Sequence, residues 1–133
     1  MKFSNQIPPI YFKCKKAFGV SWDKGVIITY GDTVYSKKPI PDHLEVHEAT
    51  HVRQQLAMGV ELWWQKYFDD KKFRFEQEVE AYRNQLEFIK KNYPRGEYEK
   101  AYGFIVDQMV SIYGKMCTKE EAEKALNKWI FLN

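Results

Sequence analysis

One segment constrains this chain more than any other: Val46-His47-Glu48-Ala49-Thr50-His51-Val52-Arg53-Gln54-Gln55. It contains His-Glu-x-x-His, three fixed positions of which two are histidine. Residues four apart lie on one face of a helix, so His47 and His51 can offer their imidazoles to a single metal ion. Glu48 falls about 100° around the helix from His47, beside such an ion and not on it. A carboxylate standing there can take a proton from water held by the metal. The competing reading is a buried helix with two hydrogen-bonded histidines.

The surroundings of the motif bear on that choice. Asp42 followed by Glu45 matches a capping box, and a helix over 43–58 follows, with Gly59 as its stop. At 100° per residue, Val46, Ala49, Val52 and Leu56 fall together and are expected to pack inward. His47, His51 and Gln55 share another side, which argues against histidines that merely fill a core. His43 lies one turn before His47. It reads as a solvated first-turn residue, the sharper alternative being an outer contact to the metal site or to a substrate.

The rest of the chain reads as α+β: a small antiparallel β-meander followed by about five helices. Residues 1–16 read as an irregular lead-in, with Pro8-Pro9 barring a helix. Strands are expected over 17–22, 26–30 and 33–35, the last two joined by Gly31-Asp32 as a tight hairpin turn. A short aromatic helix over 60–68 follows, then a polar break at 69–72. The next helix, over 73–92, shows Phe75, Val79, Tyr82, Leu86 and Ile89 at spacings of 4, 3, 4 and 3, a clean inward face. A helix over 97–113 has Tyr98, Ala101, Tyr102, Ile105, Met109 and Ile112 inward. Thr118 with Glu121 is a second capping box, opening a last helix to about residue 131 with Ala122, Ala125, Leu126 and Trp129 inward.

The bulk numbers set bounds. A length of 133 residues suits one domain, spanning 1–133, and 44% hydrophobic with 17% aromatic residues excludes disorder. The net charge of +3 is spread along the chain, so no nucleic-acid partner is indicated. Two cysteines, Cys14 and Cys117, match no zinc ribbon and read as reduced thiols. There is neither a signal peptide nor an apolar run long enough for a membrane span, so a cytoplasmic location is expected.

Two histidines leave a catalytic zinc site one protein ligand short. No histidine lies downstream of the motif, and the cysteines lack supporting context. Carboxylates are left, and the helix over 73–92 offers Glu76, Glu78 and Glu80. With Phe75 at zero, Glu78 falls near −60°, at the edge of the apolar stripe; Glu76 and Glu80 fall near +100° and +140°, toward solvent. A buried carboxylate needs a partner, and a metal ion is one. Glu78 is therefore the expected third ligand and Glu80 the second choice. The plainer alternative pairs Glu78 with Arg74 or Arg53.

His-Glu-x-x-His followed, 27 residues after its second histidine, by Glu78-Val79-Glu80-Ala81-Tyr82 resembles the gluzincin metallopeptidases, in particular the minimal ones. Tyr82 stands where that clan often has Asp. The wider line over 26–86, with Val52-Arg53-Gln54-Gln55, Trp63-Trp64 and Phe73-Arg74, also resembles short peptidase-like proteins of tailed phages. The resemblance implies a zincin-like fold and a Zn2+ ion held by His47, His51 and Glu78. It implies peptide-bond hydrolysis with Glu48 as general base acting on zinc-held water, on a protein or peptide substrate. A second electrophile would come from Tyr82, Tyr35 or Arg53. Extended substrate would pair with an edge strand, either 34–36 or 26–30. A different class of function is a structural or assembly protein, including one of a virion with other virion proteins as partners, whose zinc is stabilising or vestigial. A third is a peptide-binding module that does not cleave.

Overall fold

The computed structural model describes the backbone of residues 1–132 and the side chains of residues 1–127. The elements run β1 (Lys2–Ser4), α1 (Tyr11–Phe18), β2 (Ile28–Tyr30), β3 (Thr33–Tyr35), α2 (Asp42–Met58), α3 (Val60–Asp69), α4 (Lys71–Asn92), α5 (Arg95–Ser111) and α6 (Lys119–Leu132). The architecture is α+β, a three-stranded sheet with six helices among the described residues.

The N-terminal third differs from the expected meander. Residues 17–22 are not a strand. Tyr11, Cys14 and Phe18 lie on one face of α1, and Tyr11 and Cys14 are buried. Pro8 and Pro9 precede this helix instead of preventing it: the Pro8 carbonyl accepts from the Tyr11 amide at 3.1 Å. A proline at a helix start loses only an amide hydrogen that has no partner there. Gly19 ends α1 in the left-handed conformation, φ 70°, a natural glycine C-cap. The lead-in also supplies a strand, β1, which runs parallel to β3 in the sheet order β1-β3-β2. The sheet is therefore mixed.

The hairpin forms as expected, shortened to Ile28–Tyr30 and Thr33–Tyr35 in antiparallel register, Tyr30 opposite Thr33. Gly31 takes φ 64°, which a side chain would resist. Its amide donates to Gln55 Oε1 at 2.7 Å, while Gln55 Nε2 donates to the Thr29 carbonyl at 2.8 Å. Gln55, wholly buried, thus staples the hairpin to α2.

The face of α2 that turns inward is the polar one. His47, Glu48, Thr50, His51 and Gln55 are buried along with Val52, whereas Leu56, expected inside, is 59% exposed. The hairpin and α4 pack on the histidine side of the helix and satisfy its polar groups, so the apolar stripe does not set the orientation. The Asp42–Glu45 capping box does not form: Pro41 is the N-cap and makes no side-chain cap. The Thr118–Glu121 box does form, with reciprocal bonds of 2.9 and 3.1 Å.

The apolar stripe of α4 is inward as expected, with Val79, Tyr82, Leu86 and Ile89 buried. The polar break at 69–72 is shorter than expected, because Asp70 caps α4 by accepting from the Phe73 amide at 3.1 Å. One core cluster joins α4, α5 and α6 through Val79, Leu86, Ile105, Met109 and Leu126. Ile112, expected inward, is at the surface, and the expectation for Trp129 lies outside the described side chains. A second cluster joins α1, β2 and α3 through Tyr11, Cys14, Ile28, Trp63, Trp64 and Tyr67.

Arg74 locks these two halves together. Its buried guanidinium donates to the carbonyls of Tyr67 at 2.6 Å, Phe68 at 3.4 Å and Tyr113 at 3.0 Å, and it lies 5.2 Å from the Phe18 ring centroid. Those carbonyls belong to the end of α3 and the residues after α5. We expect Arg74→Met to destabilise the metal-free protein by about 3 kcal/mol in urea unfolding, since it strands buried carbonyls that a charged donor satisfied.

Candidate metal centre

α2 and α4 pack side by side and bring three donor atoms together. His47 Nε2 and His51 Nε2 are 3.2 Å apart, and each is 3.2 Å from Glu78 Oε1. All three residues are buried. Two imidazole nitrogens and a carboxylate oxygen in an equilateral triangle form a cluster that can hold a metal ion. Glu76 and Glu80 are exposed. The arginine pairing does not occur at Glu78: Arg74 is committed to the three carbonyls above, and Arg53 is exposed, 3.5 Å from Thr50 Oγ1.

Glu48 stands beside the triangle. The Thr29 hydroxyl, from β2, donates to its Oε1 at 2.9 Å. Its Oε2 lies 3.8 Å from His47 Nε2. One carboxylate oxygen is thus anchored to the hairpin and the other faces the cluster.

Each ligand candidate has an outer partner. Tyr67 donates to Glu78 Oε2 at 2.5 Å. His47 Nδ1 lies 3.0 Å from Gln85 Oε1, and His51 Nδ1 lies 2.8 Å from Gln54 Oε1. The Tyr82 ring packs edge-on against His47, with centroids 4.4 Å apart, and its hydroxyl is 2.5 Å from that of Tyr113. His43 is partly buried and contacts Gln85, so it stands at the outer edge of this network.

Thr29, Gln54, Tyr67, Gln85 and Tyr113 were not singled out from the sequence. Gln85 carried a signal: it lies seven residues after Glu78, hence on the same helix face, and a second polar residue there needs a reason. Tyr67 and Thr29 reach the site from distant elements, and nothing in their own segments marks them.

The electrostatics of the metal-free protein centre on Glu78 and His51. Burial alone would push the Glu78 carboxyl up. The His51 charge and the hydrogen bonds from both imidazoles outweigh burial and hold it well below the usual carboxylate range. Burial would likewise lower His51, but Glu78, Glu48 and Gln54 reverse this and raise it to about 9. Burial, then the Glu78 charge, raises both Tyr67 and Tyr82 well above 10, so both hydroxyls keep their protons.

A pH dependence follows for the metal-free protein. A histidine raised from 6.5 to about 9 contributes stability that is complete below 6.5 and lost as pH rises through 9. We expect Tm to fall by roughly 5–10 °C between pH 6.5 and 10 in calorimetry with chelator present. Saturating metal should remove that fall, because the ion replaces the proton.

A cleft of about 460 Å³ opens onto these residues. It is lined by His47, Glu48, His51, Glu78 and Tyr82 and by a mostly apolar remainder that includes Val20, residues 25–28, Phe104 and Ile105 of α5, and Ile112 just after that helix. Among the other candidates for an electrophile, Tyr35 and Arg53 do not line this cleft, whereas Tyr82 and Tyr113 do. The sheet order also distinguishes the two segments considered as edge strands. β3 is central and paired on both sides, so 34–36 is not a free edge; β2 is an edge strand whose residues line the cleft.

No protein-family model, curated protein or solved structure matches this chain. No described helix is long and apolar enough to cross a membrane.

Proposed function

We propose that this chain is a zinc-dependent metallopeptidase of zincin-like architecture, resembling the minimal gluzincins. The observation that carries the reading is the His47–His51–Glu78 triangle with Glu48 beside it, lining a mostly apolar cleft. Donor atoms about 2.0–2.1 Å from a tetrahedral zinc stand about 3.3 Å apart, and the triangle edges are 3.2 Å. A structural zinc site is normally closed by four protein ligands, and three converge here. This favours catalysis over a stabilising ion in an assembly protein.

Zinc bound there supplies Lewis acidity to a scissile carbonyl and to the attacking water. The rest falls to the chain. Extended substrate lies along the free edge of β2, with side chains against the apolar walls. Glu48, held through Oε1 by Thr29, takes the proton of the attacking water on its free oxygen. Water oxygen bonds to the carbonyl carbon, the C–N bond breaks, and Glu48 passes the proton to the leaving amine. Tyr82, which keeps its proton, donates to the developing oxyanion, and Tyr113 orients its hydroxyl. We expect Tyr82→Phe to lower kcat by about 10²-fold with little change in zinc content.

The deciding test is cleavage of a peptide library by protein carrying one equivalent of zinc, read by mass spectrometry. Cleavage that chelator abolishes and added zinc restores supports the proposal. A fully zinc-loaded protein that cleaves nothing would transfer the site to the structural reading.

A further inference from the structure

The carboxamide of Gln54 has only one way round. Its Nε2 lies 2.7 Å from Glu80 Oε1 and 3.1 Å from the Gln77 carbonyl. Both neighbours accept hydrogen bonds, so the amide nitrogen must face them. The amide oxygen then faces His51 Nδ1, 2.8 Å away. An oxygen that only accepts obliges that nitrogen to carry hydrogen, so that when His51 gives up its second proton to a metal the lone pair left free is the one on Nε2, facing the triangle. Gln85 occupies the matching place on the other imidazole, between two histidine rings. It is buried, its Oε1 is 3.0 Å from His47 Nδ1, and its Nε2 is 2.8 Å from His43 Nδ1. Each metal-facing imidazole is therefore tied through a glutamine to a second side chain farther out, Glu80 or His43.

We infer that Gln54 and Gln85 are positioning residues that fix the metal-binding tautomers of His51 and His47, and that Glu80 is the residue that directs Gln54. The inference rests on the metal site of the proposed function but not on peptide cleavage. It gives Glu80, the second choice as ligand, a role without contact to the ion. It also explains why two neutral amides occupy positions where imidazole ligands commonly have carboxylates or carbonyls.

The experiment measures zinc affinity of the full chain by chelator competition. It also follows the His51 Nδ1 proton by ¹⁵N NMR in the metal-free and zinc-loaded states. Gln54→Leu is expected to weaken zinc by about 10–100-fold and to expose that proton to rapid solvent exchange. Glu80→Gln is expected to change affinity by less than about threefold, because a carboxamide oxygen still accepts from Gln54. Gln54→Glu alone places a carboxylate against Glu80 and the Gln77 carbonyl, and is expected to weaken zinc by at least about tenfold. Combining Gln54→Glu with Glu80→Gln reverses the donor at the 54–80 contact while keeping its length, and leaves only the Gln77 carbonyl without its donor. This double exchange is expected to recover most of the affinity that Gln54→Glu loses and to restore the slowly exchanging proton.

A double exchange no better than Gln54→Glu would overturn the inference, as would a Gln54→Leu protein with unchanged affinity and an unchanged Nδ1 proton. Loss of zinc stoichiometry in Glu80→Gln would make Glu80 a ligand and also overturn it. If Gln54→Leu does not fold, the comparison of single and double exchanges decides alone. A parent chain that binds no zinc defeats the proposed function, while the proton measurement in the metal-free chain still tests the positioning role.

Discussion

Glu48→Gln is expected to abolish peptide cleavage while leaving zinc in place. The substitution keeps the shape of the side chain and its bond from Thr29, whose hydroxyl can donate to an amide oxygen as it does to Glu48 Oε1 at 2.9 Å. It removes the one thing the proposed reaction needs from this residue, a group that accepts a proton and returns it. Loss of a positioned general base lowers turnover by about 10²–10⁴-fold. Since Glu48 is not one of the three converging donors, zinc affinity should stay within about threefold of the parent, below the 10–100-fold loss typical of outer partners of a metal site. The measurement pairs zinc content by mass spectrometry with single-turnover cleavage of the best library peptide. If Glu48→Gln loses zinc together with activity, Glu48 is a fourth ligand and the site is closed, which is the structural reading. If it retains both zinc and full activity, another base carries the reaction.

How much of this could be read from the sequence depends on whether the partners are local. His47 and His51 are four apart in one helix, and Glu78 sits at the boundary of an apolar stripe that α4 keeps; both patterns are properties of single segments. The structure brings those three residues into one triangle. The stripe of Val46, Ala49, Val52 and Leu56 predicts the facing of α2 only in part: Val52 is buried, but burial elsewhere on the helix follows hydrogen bonds made by other elements. Gln55 holds the hairpin, Glu48 takes the Thr29 hydroxyl, and His47 and His51 meet Glu78, so the polar side goes in and Leu56 comes out. α1 is hidden in the sequence for a different reason. It has eight residues, two of its inward positions are Cys14 and Tyr11, and the prolines ahead of it read equally well as a barrier and as a start. The parallel pairing of β1 with β3 joins segments about thirty residues apart, and three residues of strand carry no sign of their partner.

Glu78→Gln is the substitution expected to affect metal binding most. A carboxamide can still accept from the Tyr67 hydroxyl, which now donates to Glu78 Oε2 at 2.5 Å, so the packing of α3 against α4 should survive. The negative charge at the third corner of the triangle is lost. A first-contact ligand carries more than an outer partner, so zinc affinity should fall by roughly 10³-fold or more, against the 10–100-fold loss expected for a changed outer contact. Glu80→Gln, on the exposed side of the same helix, should differ from the parent by less than about threefold, because its oxygen meets Gln54 and not the ion. The metal-free proteins provide a second, independent comparison. In the parent, Glu78 is the main attraction that raises His51 to about 9 against the opposing effect of burial. Without that charge, burial prevails, the His51 pKa drops, and the alkaline loss of stability between pH 6.5 and 9 should disappear from the melting profile. A Glu78→Gln protein that binds zinc like the parent and keeps the alkaline fall in Tm would show that Glu78 neither holds the ion nor charges His51. The carboxylate at position 78 is thus asked to do both jobs at one place, pairing with a proton on His51 when metal is absent and with the metal when it is present.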